Sequence, residues 1–261
     1  MTKHRRQHRF LDRFKLARSG DFPPTLVKRA VSSTVGPFMS TAAFEKSRRN
    51  KLLRHPERGQ YERDAIYAIV DEALMCHVGF IQDGSPIVIP TLHARDGDSL
   101  LLHGSAASRM IKHLGARNPV CVTITLVDGL VLARSVFNHS VNYRSAVLFG
   151  TGEPITDPEA KRRALLCFME RLLPGRWADV REPTEQELKA TGVVAIPLAA
   201  ASAKVRSGPP KDDPDDVALP SWAGVLPIRQ IMAPPEPAPD GPPAPDLPEY
   251  LAAFLAAHGD H

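Results

Sequence analysis

In residues 61–74 the apolar residues Ile66, Ile69, Val70 and Leu74 recur at helical spacing and predict an amphipathic helix. The period then changes. Residues 75–81, 86–94 and 99–103 are short apolar runs split by Asp83-Gly84 and Asp96-Gly97-Asp98, and they predict a meander of three strands joined by tight hairpins. A second helix is expected over residues 106–114, stopping at Gly115. Residues 119–127 are β-rich, and Asp128-Gly129 reads as a turn into a strand over 130–133. Residues 141–155 predict one longer strand, bent or bulged at Gly150 and Gly152. Asp157 and Pro158 open a helix that runs to residue 173. Thr184 to Glu187 has capping-box character for a short helix, and residues 192–205 return as a strand.

Short strands flanked by helices, without a regular strand–helix alternation, predict a mainly β barrel with peripheral helices rather than a doubly wound parallel sheet. Residues 1–45 lack steady periodicity and form a basic N-terminal extension; residues 46–230 hold the folded domain. Residues 231–261 form a Pro-rich tail whose end, 247–258, has the pattern of a short helix.

Charge adds detail to this picture. The formal net charge is +4 over 261 residues. Lys3, Arg5, Arg6, Arg9, Arg13, Lys15 and Arg18 stand against Asp12 alone in the first twenty residues, so the extension reads as a solvated arm. No apolar run approaches the roughly 20 residues of a membrane helix, and there is no secretory h-region, so a cytoplasmic protein is expected. Cys76, Cys121 and Cys167 are scattered beside apolar runs and read as buried thiols, not as a zinc or disulfide framework.

Chemistry concentrates in two stretches. In residues 100–114 a strand runs into Gly104, then Ser105 and Ser108, then a helix carrying Arg109 and Lys112. Free N–H groups, hydroxyls and a guanidinium make a seat for a phosphate; a capped helix with an exposed arginine is the plainer reading. In residues 142–150 an arginine, Arg144, enters an otherwise apolar strand beside Ser145. It needs an anion, either a ligand group or a neighbouring carboxylate. His77, His93, His103, His113 and His139 show no metal-ligand spacing. Trp222 stands alone in a Pro-rich stretch.

These residues resemble the pyridoxamine 5'-phosphate oxidase-like split-barrel family, in the branch of flavin-nucleotide-binding and nitroimidazole-reductase-like proteins. The likeness covers about residues 47–228 and follows the family's order: residues 54–59 (RHPERG), 65–78, 84–90 (GSPIVIP), 103–110, 142–150 and 222–227. It implies a six-stranded split β-barrel that binds FMN between two protomers of a homodimer. Val88, Ile89, Pro90 and Thr91 would lie beside the isoalloxazine ring, and His103 near the ring or ribityl chain. Ser108-Arg109 matches the family's phosphate grip, with Ser105 and Lys112 beside it. Arg144-Ser145 would reach flavin from the other subunit, and Trp222 would sit near the cofactor. The Arg-Leu-His-Asp-Arg segment that holds substrate in true pyridoxamine-phosphate oxidases has no counterpart after Gly192.

The resemblance therefore predicts an FMN-dependent oxidoreductase acting on a small molecule, with His103 the candidate facing it. A non-catalytic flavin carrier or sensor, and a haem- or deazaflavin-binding member of the fold, remain open. A nucleic-acid-binding barrel is disfavoured because aromatic residues are only 6% of the chain, too few for interleaved base stacking.

Overall fold

The structure, a computed structural model, describes residues 43–240 and 246–259. The basic extension up to residue 42 and residues 241–245 of the Pro-rich tail lie outside the described residues. In chain order the elements begin with β1 (Gly59–Gln60), α1 (Arg63–Glu72), β2 (Met75–Gln82), β3 (Ser85–Leu92), β4 (Ala94–Asp96) and β5 (Ser99–Ser105). Then come α2 (Arg109–Gly115), β6 (Pro119–Leu132), β7 (Ser140–Thr151), β8 (Glu153–Ile155), α3 (Pro158–Leu172) and α4 (Glu185–Ala190). The last are β9 (Thr191–Pro197), β10 (Ala200–Arg206), β11 (Gly224–Pro227) and α5 (Glu249–His258).

The strands form two antiparallel sheets. One follows the order β1-β10-β7-β6-β2-β3, with β11 added on β6; the other follows β4-β5-β9-β8. Alternation decides which side chains point inward. Cys76, Val78 and Phe80 of β2 meet Leu100 and Leu102 of β5, Val122 and Ile124 of β6, Leu148 of β7, and Val194 and Ile196 of β9 in a single core. The fold is thus the expected mainly β split barrel with peripheral helices. α1 closes part of this core with Ile66, Ile69 and Val70. The other face of the second sheet packs Leu101 and Val193 against Ala164 and Phe168 of α3.

Several predicted boundaries change, and each change has a local cause. Residues 86–94 are not one strand of a three-stranded meander. β2 and β3 do form a tight hairpin, with Asp83 at φ 50° and Gly84 at φ 74°. The chain then leaves the first sheet at His93, whose buried ring makes a 2.8 Å hydrogen bond to the carbonyl of Val70, and β4 starts the second sheet. Asp128-Gly129 is a bulge inside one long strand, β6, rather than a turn. A side chain at 129 would meet the Leu226 carbonyl at 2.8 Å, so glycine serves the approach of β11.

Residues 141–155 divide at Gly152 into β7 and β8, which belong to different sheets. A Cβ at Gly152 would lie 2.4 Å from the Leu114 carbonyl; the strand can change sheets here only by passing close under α2. Residues 192–205 likewise divide, at Leu198-Ala199, into β9 and β10. The helix expected from residue 106 starts at Arg109, because Ser105 and Ser108 form a turn first. The capping predictions at Asp157 and Thr184 are both met: Asp157 accepts from Ala160 N, and Thr184 and Glu187 bond reciprocally.

Candidate functional site

The β5–α2 junction gathers Ser105, Ser108, Arg109 and Lys112. Ser108 N donates to the Ser105 carbonyl at 2.9 Å, Ala107 N to Ser105 Oγ at 3.3 Å, and Ile111 N to Ser108 Oγ at 3.3 Å. Both hydroxyls therefore accept from the backbone within the turn, and each keeps its own proton to donate. Arg109 and Lys112 project from α2, are exposed, and have no carboxylate partner among the described residues. Two cations one helical turn apart beside two hydroxyl donors can grip a phosphate. Gly104 makes only ordinary contact with Ile111. The glycine the junction requires is its cross-strand partner Gly192, where a Cβ would lie 2.3 Å from Ile111 Cγ2.

β3 is the free edge of the first sheet, so the backbone groups of every second residue face away from β2; Pro90 has no N–H to offer there. Val88 is 64% exposed and Pro90 is exposed, whereas Ile89 packs against the core and Thr91 is half-buried. The outward face continues across β2 and β6. His77 stands between Pro90 and Thr123, and Gly79 between Val88 and Cys121. Met75, Ile81 and Val127 are exposed around this single imidazole. This face carries exposed apolar side chains, one exposed imidazole and Thr123.

Arg144 is held by two carboxylates, Asp128 and Glu72. Its Nη2 donates to Asp128 Oδ1 at 2.7 Å and to Glu72 Oε1 at 2.8 Å, its Nε donates to Asp128 Oδ2 at 3.0 Å, and Nη1 donates to Glu72 Oε2. Hydrogen bonding to Glu72 and then to Asp128 drives the Arg144 pKa further up. The plainer sequence reading, an arginine paired with carboxylates, is what the chain contains. Sequence reasoning missed both partners: Asp128 was spent on a turn, and Glu72 on the end of a helix. Ser145 is half-buried, with its Oγ 3.5 Å from the Lys204 carbonyl.

His103 packs edge-on against Phe168 of α3, with ring centroids 4.4 Å apart. Burial lowers its pKa, keeping the ring neutral, and its Nδ1 is enclosed without a hydrogen-bond partner. His93 Nδ1 and His113 Nε2 are likewise enclosed and unpartnered. Trp222 is 64% exposed and folds over Gly224, where a Cβ would come within 2.8 Å of the indole. Burial pushes the Cys76 thiol up to about 12 and Cys167 up to about 11, so both remain protonated, unreactive thiols. Among the described residues no cluster of three His, Cys, Asp or Glu could hold a metal ion, and no helix is long and apolar enough to cross a membrane.

The candidate residues thus fall in three places within one chain: the β5–α2 junction, the β3 edge with the adjoining sheet face, and the β6 bulge with Arg144 and the Trp222 segment.

Comparison with known proteins gives this arrangement its relatives. A family model described as pyridoxamine 5'-phosphate oxidase matches residues 62–205. A search of curated proteins gives no match. The structure of a flavocytochrome from Azotobacter vinelandii is 42% identical and superposes with a TM-score of 0.75, covering 79% of this chain and 96% of that one. An FAD- and haem-binding protein from Mycobacterium smegmatis is 36% identical with a TM-score of 0.72, covering 75% of this chain and 96% of that one. With its matched span, split-barrel fold and relatives in agreement, the chain belongs to the pyridoxamine 5'-phosphate oxidase family.

Proposed function

We propose that this protein is a flavin- and haem-carrying redox protein, an oxidoreductase that works as a homodimer with the flavin shared between protomers. One observation carries the reading. The two relatives that align over three quarters or more of the chain, at 42% and 36% identity, are a flavocytochrome and a protein that binds FAD and haem. The residues present fit both groups.

For the flavin, Arg109 and Lys112 with the Ser105 and Ser108 hydroxyls take the phosphate next to the ribityl chain. The sequence pointed to FMN; FAD carries the same phosphate, and the 36% identical relative favours FAD. The free backbone edge of Val88 to Thr91 lies against the ring system, where the Val88 N–H stabilises negative charge. For the haem, His77 offers its imidazole on the apolar face formed with Met75, Val88 and Val127. When bound, these groups supply electron transfer between a donor and a small acceptor; the protein binds, orients and tunes them. His103, packed edge-on against Phe168 of α3, keeps a neutral ring.

Two features support the dimer. The candidate residues lie on separate elements of the chain, and the exposed apolar side chains Met75, Ile81, Val88, Val127 and Trp222 lie on the elements that carry them. The experiment is to purify the protein, denature it, and identify what is released by mass and by absorbance. FAD together with a haem Soret band is expected. Colourless protein that takes up neither group overturns the proposal. Steady-state turnover with a quinone or nitroaromatic acceptor separates an oxidoreductase from a carrier.

A further inference from the structure

A cationic segment lies along β10, whose Lys204 pairs across the ladder with Ser145 of β7. Arg48, Arg49, Lys51 and Arg54 are exposed on the segment that crosses the outside of β10, and Lys204 of β10 joins them by donating to the Arg54 carbonyl at 3.1 Å. None of the five lies within ion-pair distance of a carboxylate among the described residues. This contrasts with Arg95, Arg134, Arg144, Arg162 and Arg181, each of which holds an Asp or Glu.

The segment is fixed in place. Asn50 is 3% exposed, and its side chain donates to the carbonyls of Glu45 and Ala201 while accepting from Ser47 N at 2.7 Å. Leu52 N donates to the Tyr61 hydroxyl at 3.1 Å. Arg49 rests over the Phe149 ring. The charges are therefore presented on an ordered scaffold, and binding them orders little further chain. Among them Leu53 projects into solvent, 87% exposed.

We propose that the surface formed by Arg48, Arg49, Lys51, Arg54 and Lys204 around Leu53 is the docking site for an acidic protein. An apolar point ringed by charge is the layout of a protein–protein contact. A single-stranded nucleic acid would require exposed stacking rings, but the aromatics beside the segment are Phe44 and Tyr61, turned inward at 4% and 8% exposure, and Phe149, half-buried under Arg49. A membrane surface would require an apolar face, and Leu53 projects alone while Leu52 is half-buried. That the partner is an acidic electron carrier rests on the flavin-and-haem reading; the docking itself does not.

The test uses the full chain as purified, with an acidic [2Fe–2S] ferredoxin as probe and binding read as mass on a sensor surface at two salt concentrations. Phosphatidylserine vesicles and a single-stranded oligonucleotide serve as parallel probes. The chain is expected to bind the ferredoxin in a salt-sensitive way. The triple variant Arg48→Glu, Lys51→Glu, Arg54→Glu is expected to associate at least about tenfold more slowly at low salt, with unchanged melting temperature. Leu53→Ser is expected to speed dissociation without changing salt sensitivity. Absence of ferredoxin binding by the unsubstituted chain, equal binding by the triple variant, or charge-dependent binding to vesicles or oligonucleotide in place of ferredoxin overturns the proposal. Because mass is read rather than colour, a colourless protein that binds the probe fails the cofactor reading alone.

Discussion

Arg144 of β7 and Asp128 at the β6 bulge face each other across the strand pair, joined by an Nη2–Oδ1 bond of 2.7 Å and an Nε–Oδ2 bond of 3.0 Å. The bulge that sets Asp128 toward Arg144 also places its carbonyl to accept from Ile228 N at 3.0 Å, just past β11. One residue therefore links the arginine to the segment that carries Trp222.

This tie should register as stability. Asp128→Asn is expected to lower it by about 1 kcal/mol, the scale of a partly exposed ion pair. A double-mutant cycle with Arg144→Gln should return a coupling of about 0.5–1 kcal/mol in chemical denaturation. An arginine serving only a flavin would give no coupling to Asp128, and Arg144→Gln would then reduce flavin retention without lowering stability.

The packing of α2 on β9 rests on Gly192. Gly192→Ala would put a methyl 2.3 Å from Ile111 Cγ2, and overpacking of this kind costs about 1–3 kcal/mol. Ile111→Ala removes Cγ2, so the double variant should lose less than the sum of the two single losses. Thermal unfolding of the two single variants and the double variant checks this, and simple additivity would refute the contact.

Stability should fall in mild acid. Burial lowers the pKa of His93 and of His103 below the ordinary value of about 6.5. The unfolded chain then binds more protons than the folded one, so the contribution is complete above about pH 6.5 and is lost as pH drops through the folded values. Denaturant midpoints measured from pH 7 down to pH 5 should decline. His93→Gln, which keeps a donor for the Val70 carbonyl, should flatten that decline; an unchanged slope would assign it to other groups.

Local signals of element ends were legible in the sequence. Asp157 before Pro158, the Thr184–Glu187 box and the Asp83-Gly84 hairpin each satisfy particular backbone groups, so their structure follows from their chemistry. The places where the chain changes sheets were not legible. At His93 and Leu198 the sequence carries no turn residue, and at Gly152 the glycine reads as a bend within one strand; the change of sheet depends on distant partners such as Val70 and Leu114. The same holds at the site. Ser108, Arg109 and Lys112 are neighbours along one helix and could be read together, whereas the Glu72 and Asp128 that hold Arg144 are 72 and 16 residues away from it.

The central claim is that Arg109 holds the phosphate of a flavin at the β5–α2 junction. The most direct measurement is the affinity of Arg109→Ala for FAD and FMN beside its affinity for riboflavin, which lacks the phosphate, each read by flavin fluorescence. Loss of a charge-assisted bond worth about 1.5–3 kcal/mol should weaken both nucleotides at least about tenfold, leaving riboflavin binding and melting temperature unchanged. Equal retention of the nucleotides by the variant and the unsubstituted protein would contradict it.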